Sequence, residues 1–330
     1  MSPKEEMSPL LLPITAAESP VTKLPSKASP SAKQPHSLLG IACVAASAVC
    51  FSVMSTFVKY DTSAMTSVEA VFWRSFIACI LNYGVILYRG QSLYVKPEDR
   101  KTMLYRVISG FASIAFQFYA ISQMVLADAS VIIFTSPVIT FFLGACLLHE
   151  HIDLPSFLCA ITSFAGLVCV VRPGFLFGYN HDTAATDGSW IAVGSGLLGA
   201  VGQAFVYIYV RKLRHLHVQV IIHHFMFFSI IVSLLYIALF QRRFVIPSDI
   251  TMWTAVIGSG VFTFIGQTFL TKGFQLEKAG IASVMRYLDV VCVFVWDAVF
   301  LHERINHWSA VGAAIICVCA AIIALRKSNA

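Results

Sequence analysis

Two stretches of this chain decide its fold: residues 129–152, ASVIIFTSPVITFFLGACLLHEHI, and residues 282–305, ASVMRYLDVVCVFVWDAVFLHERI. Ten of the 24 aligned positions are identical, and both stretches end in Leu-His-Glu-x-Ile. Apolar composition alone produces scattered matches, but it does not produce that ending twice. The two stretches are therefore copies of one helix, placed 153 residues apart.

The composition indicates that these helices lie in lipid. Of the 330 residues, 58% are hydrophobic and 12% are charged, whereas soluble domains carry roughly 45–50% and about 25%. Such a chain cannot bury its apolar side chains and still present a polar surface, which excludes a soluble globule, a disordered chain, collagen and a coiled coil.

Ten apolar segments approach the length of about 20 residues that crosses the hydrocarbon. Their predicted limits are 37–58, 67–88, 103–122, 126–148, 154–171, 189–209, 218–239, 251–271, 279–301 and 308–325. Each is expected to be a helix, because a helix satisfies its own backbone in lipid. The predicted fold is an all-α membrane protein with ten transmembrane helices.

The copied helix is the fourth span of the chain and also the ninth, so the spans form two repeats of five. The repeats are predicted at 37–171 and 189–325, joined by a loop at 172–188. A Pro-rich segment, 1–36, precedes them as a disordered cytosolic tail, and 326–330 forms a cytosolic C-terminus. Because five is odd, the second repeat is inverted, which is typical of secondary transporters that bind substrate between their halves.

The basic residues predict the orientation. With the N-terminus in the cytosol, fifteen Lys and Arg lie in cytosolic segments and five lie outside, which agrees with the positive-inside rule. Both termini are then cytosolic, with Glu150 at the cytosolic face and its copy Glu303 at the outer face. The sequence does not distinguish the plasma membrane from the endoplasmic reticulum or Golgi.

Several motifs carry a family resemblance. They are Arg74 with Phe76, LADASVIIFTSP at 126–137, VRPGFLFG at 171–178, LEKAG at 276–280 and MRYLDVV at 285–291. The chain resembles the drug/metabolite transporter superfamily with its paired EamA-type repeats, and more closely the G group of solute carrier family 35. The resemblance implies a ten-helix carrier for small organic solutes and leaves the solute open.

Charged side chains inside spans are costly and mark candidate sites. Arg74 and His224 fall at equivalent depths when 68–76 is aligned with 218–226, and together they suit a carboxylate. Alternatively, Arg74 reaches the outer interface or pairs with Glu69, and His224 is a core histidine. Arg286 and Asp289, at i,i+3, either neutralise each other within one helix or serve the substrate and a proton.

Neutral polar residues are further candidates to line the cavity, or else to bond neighbouring helices to each other. They are Gln117, Tyr119, Gln203, Tyr207, Gln267 and Tyr287. Glu150 and Glu303 cap helix ends and are predicted to act in gating or structure. Pro137 is expected to kink the fourth span.

Other functional classes find no support in the sequence. We find no catalytic motif and therefore predict no enzyme, no catalytic residue and no cofactor. The nine cysteines lie in apolar runs without a CxxC pair, so neither a disulfide framework nor a metal site is predicted. No basic patch with interleaved aromatics suggests nucleic acid, and the expected partners are a small solute and the lipid bilayer.

The resulting prediction is a secondary transporter that moves a small organic anion, for example a di- or tricarboxylate such as citrate, by alternating access. One alternative is a carrier for nucleotide sugars or other metabolites in an internal membrane. Another is a regulatory or scaffold protein that keeps the carrier fold and binds a partner through its tail. Deletion of 1–36 separates transport from scaffolding, and the sequence leaves a homodimer open.

Overall fold

The computed structural model describes residues 37–177, 190–300 and 307–329. Within those ranges the chain is helical without a strand, and ten helices are long and apolar enough to span a membrane. The predicted fold class is therefore confirmed. Glu303, the tail 1–36 and most of the connecting loop lie outside the described residues.

The spans follow one another with short connections. In chain order they are Ser37–Ala64, Ser67–Tyr88, Pro97–Gln123, Leu126–Ile133 with Ser136–Leu148, Leu154–Val171, Trp190–Lys212, Val218–Tyr236 with a π-helical turn Ile237–Gln241, Ile250–Leu276, Ala279–Phe300, and His307–Asn329. The ninth combines Ala279–Val284, a 3₁₀ turn Met285–Tyr287 and Leu288–Phe300. A one-turn helix, Gly174–Phe177, follows the fifth span.

Several helices extend past the limits predicted from apolarity. The third begins at Pro97 rather than 103, with Glu98 and Asp99 in its first turn, and the eighth continues from 271 to Leu276. Backbone hydrogen bonds continue a helix beyond the hydrocarbon, whereas apolarity records only the part in lipid.

The copied helices are interrupted at equivalent positions. The fourth span breaks between Ile133 and Ser136, because Pro137 has no N–H and its ring clashes with the carbonyl of residue 133. The ninth span tightens into its 3₁₀ turn at 285–287, which aligns with 132–134 although no proline is present there. At these breaks the aligned pair Phe134 and Tyr287 meets: the Tyr287 hydroxyl donates to the Phe134 carbonyl at 3.1 Å.

The helix ends lie at two faces of the bundle, and different polar contacts occur at each face. One face, which we call the basic face, holds Arg211 and Arg326, together with Glu150 and Asp153. The other, the opposite face, holds Glu69. There Glu69 Oε2 accepts from the backbone N–H of Thr66 at 2.8 Å, and Glu69 Oε1 accepts from the N–H of Val245 at 2.8 Å.

The fifth and tenth spans form a close pair. A methyl group at Gly166 would lie 2.9 Å from the carbonyl oxygen of Gly312, so the two backbones touch. Ser309 donates to the Val170 carbonyl at 3.2 Å at one end of the pair. At the other end, Arg326 pairs with Asp153 at 2.9 Å.

Candidate functional site

A polar cavity of about 330 Å³ lies between the other eight spans, which is a size suited to a small solute. Among the residues the structure describes, neither the fifth nor the tenth span contributes to its lining. The lining approaches the opposite face at Ile121 and Ser130, but it stops at Arg106 and Leu270 on the side of the basic face.

The cavity brings together seven of the ten predicted site residues. They are Arg74, Gln117, Gln203, Tyr207, Gln267, Arg286 and Asp289. The interruptions of the copied helices also lie in its wall, because Phe134, Ser136 and Arg286 line it. Broken helices at the membrane midplane are typical of transporter binding sites, since the break presents polar groups to a solute.

Arg286 and Asp289 form an ion pair within the ninth span, with 2.8 Å between Nη2 and Oδ2. The Arg286 guanidinium also lies 4.9 Å from the ring centre of Phe51. Arg286 Nε and Nη1 and Asp289 Oδ1 have no hydrogen-bond partner among the described residues. The pair is therefore partly satisfied internally and keeps both donors and an acceptor at the cavity wall.

Arg74 lies in the cavity wall, where its Nη1 is 3.8 Å from Met54 Sδ. Glu69, the partner considered for it, is occupied instead by Thr66 and Val245. Gln117 donates to the Ser113 hydroxyl at 2.8 Å, and that hydroxyl donates to the Gly199 carbonyl at 2.7 Å. Gln117 thus lines the cavity and also joins the third span to the sixth.

Three predicted site residues lie outside the cavity lining. His224 is bonded through Nδ1 to the Val220 carbonyl at 2.8 Å, whereas its neighbours Phe225 and Met226 line the cavity. Adjacent helical residues point about 100° apart, which explains the difference. Tyr119 is 44% exposed, and Tyr287 is fully buried against Phe134.

Sequence reasoning missed Arg106. It is 2% exposed, lines the cavity and stacks on Phe225, with 4.4 Å between the guanidinium carbon and the ring centre. The signal was present, since Arg106 is a charge within an apolar span. Serine and threonine side chains also line the cavity: Ser55, Ser75, Ser130, Ser136, Ser229 and Thr263.

A polar network joins the two halves of the chain at the basic face. Glu150 accepts from Arg211 Nε at 3.0 Å and from the N–H of Ala279 at 2.9 Å. Arg211 also donates to the Gln275 carbonyl at 2.6 Å. Glu150 follows the fourth span, Arg211 and Gln275 belong to the sixth and eighth spans, and Ala279 begins the ninth. We call these four residues the Glu150 network.

Comparison with known proteins identifies the family. The sequence pattern described as the EamA-like transporter family matches residues 38–172 and again 190–325. The chain belongs to this family. It is an integral, multi-pass membrane transporter, and the predicted resemblance is confirmed.

Named relatives agree with this assignment. The transporter is 29% identical to human solute carrier family 35 member G1 over 92% of its own length and 84% of that protein. It is 30% identical to the pseudopaline exporter CntI of Pseudomonas aeruginosa, covering 84% of this chain and 93% of the exporter. It is 32% identical to the probable transport protein YPL264C of Saccharomyces cerevisiae over 66% of its length, and the match spans 65% of the yeast protein.

The fold also matches a solved structure. The transporter superposes on a crystal structure with a TM-score of 0.77, covering 87% of this chain and 99% of the other, at 18% identity. At that identity the likeness concerns the fold alone.

Proposed function

We propose that the transporter carries a small organic anion through this cavity by alternating access, with di- and tricarboxylates such as citrate as the first solutes to test. The charge of the cavity carries the proposal. Even without Arg74, the described lining residues include two basic side chains, Arg106 and Arg286, against one acidic side chain, Asp289. An excess of positive charge in a low-dielectric site attracts an anion and disfavours a cation.

Arginine is suited to this role because its planar guanidinium binds a carboxylate through two parallel hydrogen bonds. Arg286 supports the proposal most directly, since Nε and Nη1 have no partner among the described residues. A solute carboxylate can take these donors while Asp289 keeps Nη2. The neutral side chains Gln203 and Gln267 supply further hydrogen bonds at the cavity wall.

Solute uptake into proteoliposomes tests the proposal. Citrate, succinate, a nucleotide sugar and a quaternary amine are compared for the wild type, Arg286→Gln and Arg286→Lys. We expect uptake of an organic anion that falls at least tenfold in Arg286→Gln, or about 1.4 kcal/mol, with poor rescue by Lys. Arg326→Gln is the matched control, because Arg326 lies at the basic face. Uptake of the amine alone, or full anion uptake by Arg286→Gln, contradicts the proposal.

We also propose that the repeats 37–171 and 189–325 are inverted and that the basic face is cytosolic. The equivalent breaks in the fourth and ninth spans support the repeat, and the excess of basic residues supports the orientation. A cysteine at position 212 should then react with an impermeant reagent after permeabilisation, and one at position 180 without it. The reverse pattern contradicts the orientation. The membrane, a homodimer and a partner of the tail stay predictions.

A further inference from the structure

Arg106 differs from the other two cavity arginines in its environment. It lies nine residues after Pro97, or about 14 Å along the helix from the basic-face end of the third span. Its side chain is almost completely buried. Within the described part of the chain no carboxylate lies at ion-pair distance from it, whereas Arg286 has Asp289.

The surrounding helices hold the Arg106 guanidinium in one place. Phe225 of the seventh span covers one side of it, at 4.4 Å. Gly110, one turn further along the third span, leaves room on another side, because a methyl group there would lie 2.7 Å from Arg106 Nη1 and 2.8 Å from Phe225 Cε2. The packing thus depends on a glycine at 110.

Two donor atoms of Arg106 are not satisfied. Nε and Nη1 are buried and have no hydrogen-bond partner among the described residues. Buried polar groups in proteins are almost always bonded, and an exception indicates a missing partner. A buried charge without a counter-ion is more costly still. The cavity that Arg106 lines is the place from which such a partner can reach it.

Arg106 and Arg286 share a neighbour. Tyr207 lines the cavity together with both arginines, and it is held flat against Phe274, with 4.1 Å between ring centres. The two arginines therefore share one cavity wall with a fixed aromatic side chain. Even without Arg74, they exceed the single carboxylate of Asp289 by one charge, counting the described lining residues.

We infer that Arg106 forms a second oxyanion subsite, which binds one acidic group of a dianionic solute while the other acidic group binds at Arg286. This inference rests on the proposed function and adds to it the charge of the solute. The acidic group at Arg106 is a carboxylate or a phosphate, since a guanidinium binds both through the same pair of N–H groups. Arg106 then selects dianions over monoanions of similar size.

The test compares succinate with butyrate, which has the same carbon chain and one carboxylate fewer, and adds phosphoglycolate, whose two acidic groups are a carboxylate and a phosphate. Binding is measured as ligand-induced thermal stabilisation of the purified protein, and transport as uptake into proteoliposomes. The variants are Arg106→Gln, Arg106→Lys and Gly110→Ala. Arg100→Gln is the control, because Arg100 belongs to the same span but packs on Tyr94 and bonds the Val95 carbonyl.

We expect the wild type and Arg100→Gln to prefer a dianion at least tenfold over butyrate. Arg106→Gln should lose that preference, with dianion uptake reduced at least tenfold and butyrate uptake changed less than twofold. Gly110→Ala keeps the charge but displaces the guanidinium, so it should weaken dianion binding in the same direction. Preference for succinate or for phosphoglycolate identifies the acidic group at Arg106.

Equal loss of succinate and butyrate uptake in Arg106→Gln would overturn the inference and leave the proposed function standing. If Arg106→Gln does not fold, the variants Gly110→Ala and Arg106→Lys test the inference instead. An unchanged preference for dianions in both variants would overturn the inference. A wild type that binds and carries no anion at all contradicts the proposed function itself.

Discussion

The Glu150 network should control opening at the basic face, and Glu150→Gln tests this. In the structure Glu150 accepts from Arg211 Nε at 3.0 Å and from the N–H of Ala279 at 2.9 Å. Glutamine has the same shape but one acceptor oxygen, and its amide nitrogen would face one of these donors. Because Glu150 and its partners lie in different halves of the chain, the proposed alternating access would separate them when the basic face opens.

The size of the effect follows from the bonds lost. Hydrogen bonds to a charged group are worth about 1.5–3 kcal/mol, and the surroundings here are partly exposed, so we take about 2 kcal/mol. That value corresponds to roughly a 30-fold shift of the equilibrium toward a state open at the basic face. Asp153→Asn is the control, because the Asp153–Arg326 pair is largely exposed and exposed pairs contribute about 0–1 kcal/mol.

The measurement uses a variant in which the nine native cysteines are replaced and Leu270→Cys supplies one thiol. Leu270 lies at the cavity end nearest the basic face. We expect an impermeant maleimide, applied at the basic face, to label it roughly 30-fold faster in Glu150→Gln, with less than a twofold change in Asp153→Asn. Equal labelling of the wild type and Glu150→Gln would show that the network does not hold this face closed.

Two further predictions concern stability. Gly312→Ala should lower the thermal unfolding temperature in detergent, because overpacking costs about 1–3 kcal/mol. Gly194→Ala is the control and should not lower it, because nothing lies within 4 Å of the added methyl group. Equal unfolding temperatures of the two variants would contradict the close packing of the fifth and tenth spans. The pKa of Asp153 lies below its ordinary 3.8, first because the Ser156 hydroxyl donates to it and then because Arg326 lies beside it. The stabilising contribution of the Asp153 carboxylate is therefore fully present above pH 3.8 and is lost as the pH falls through the lowered pKa. Acid should destabilise the wild type more than it destabilises Asp153→Asn. An identical pH dependence of unfolding in the two proteins would contradict this.

The spans could be predicted from the sequence because lipid allows few solutions. A segment of about 20 apolar residues must be a helix, and its charged residues must face protein. Arg74, Arg286 and Asp289 were singled out for this reason, and in the structure all three line one cavity. The copied Leu-His-Glu-x-Ile endings indicated that the fourth and ninth spans are related. The breaks at equivalent positions in the two spans agree with that relation.

The rotation of a helix about its axis was harder to predict. His224 was aligned with Arg74 by depth, but depth does not fix direction, and one residue of difference turns a side chain by about 100°. Arg106 was missed for another reason. Apolarity placed the start of the third span at 103, only three residues before Arg106, whereas the helix begins at Pro97 and carries Arg106 further into the bundle.

The close pair of the fifth and tenth spans is a suitable site for attaching this protein to a surface. The glycine contact and the bonds at both ends hold the two helices together. No described side chain of either helix reaches the cavity. A transporter attached to a surface through this helix pair should still transport its solute, which would allow single-molecule measurements of transport.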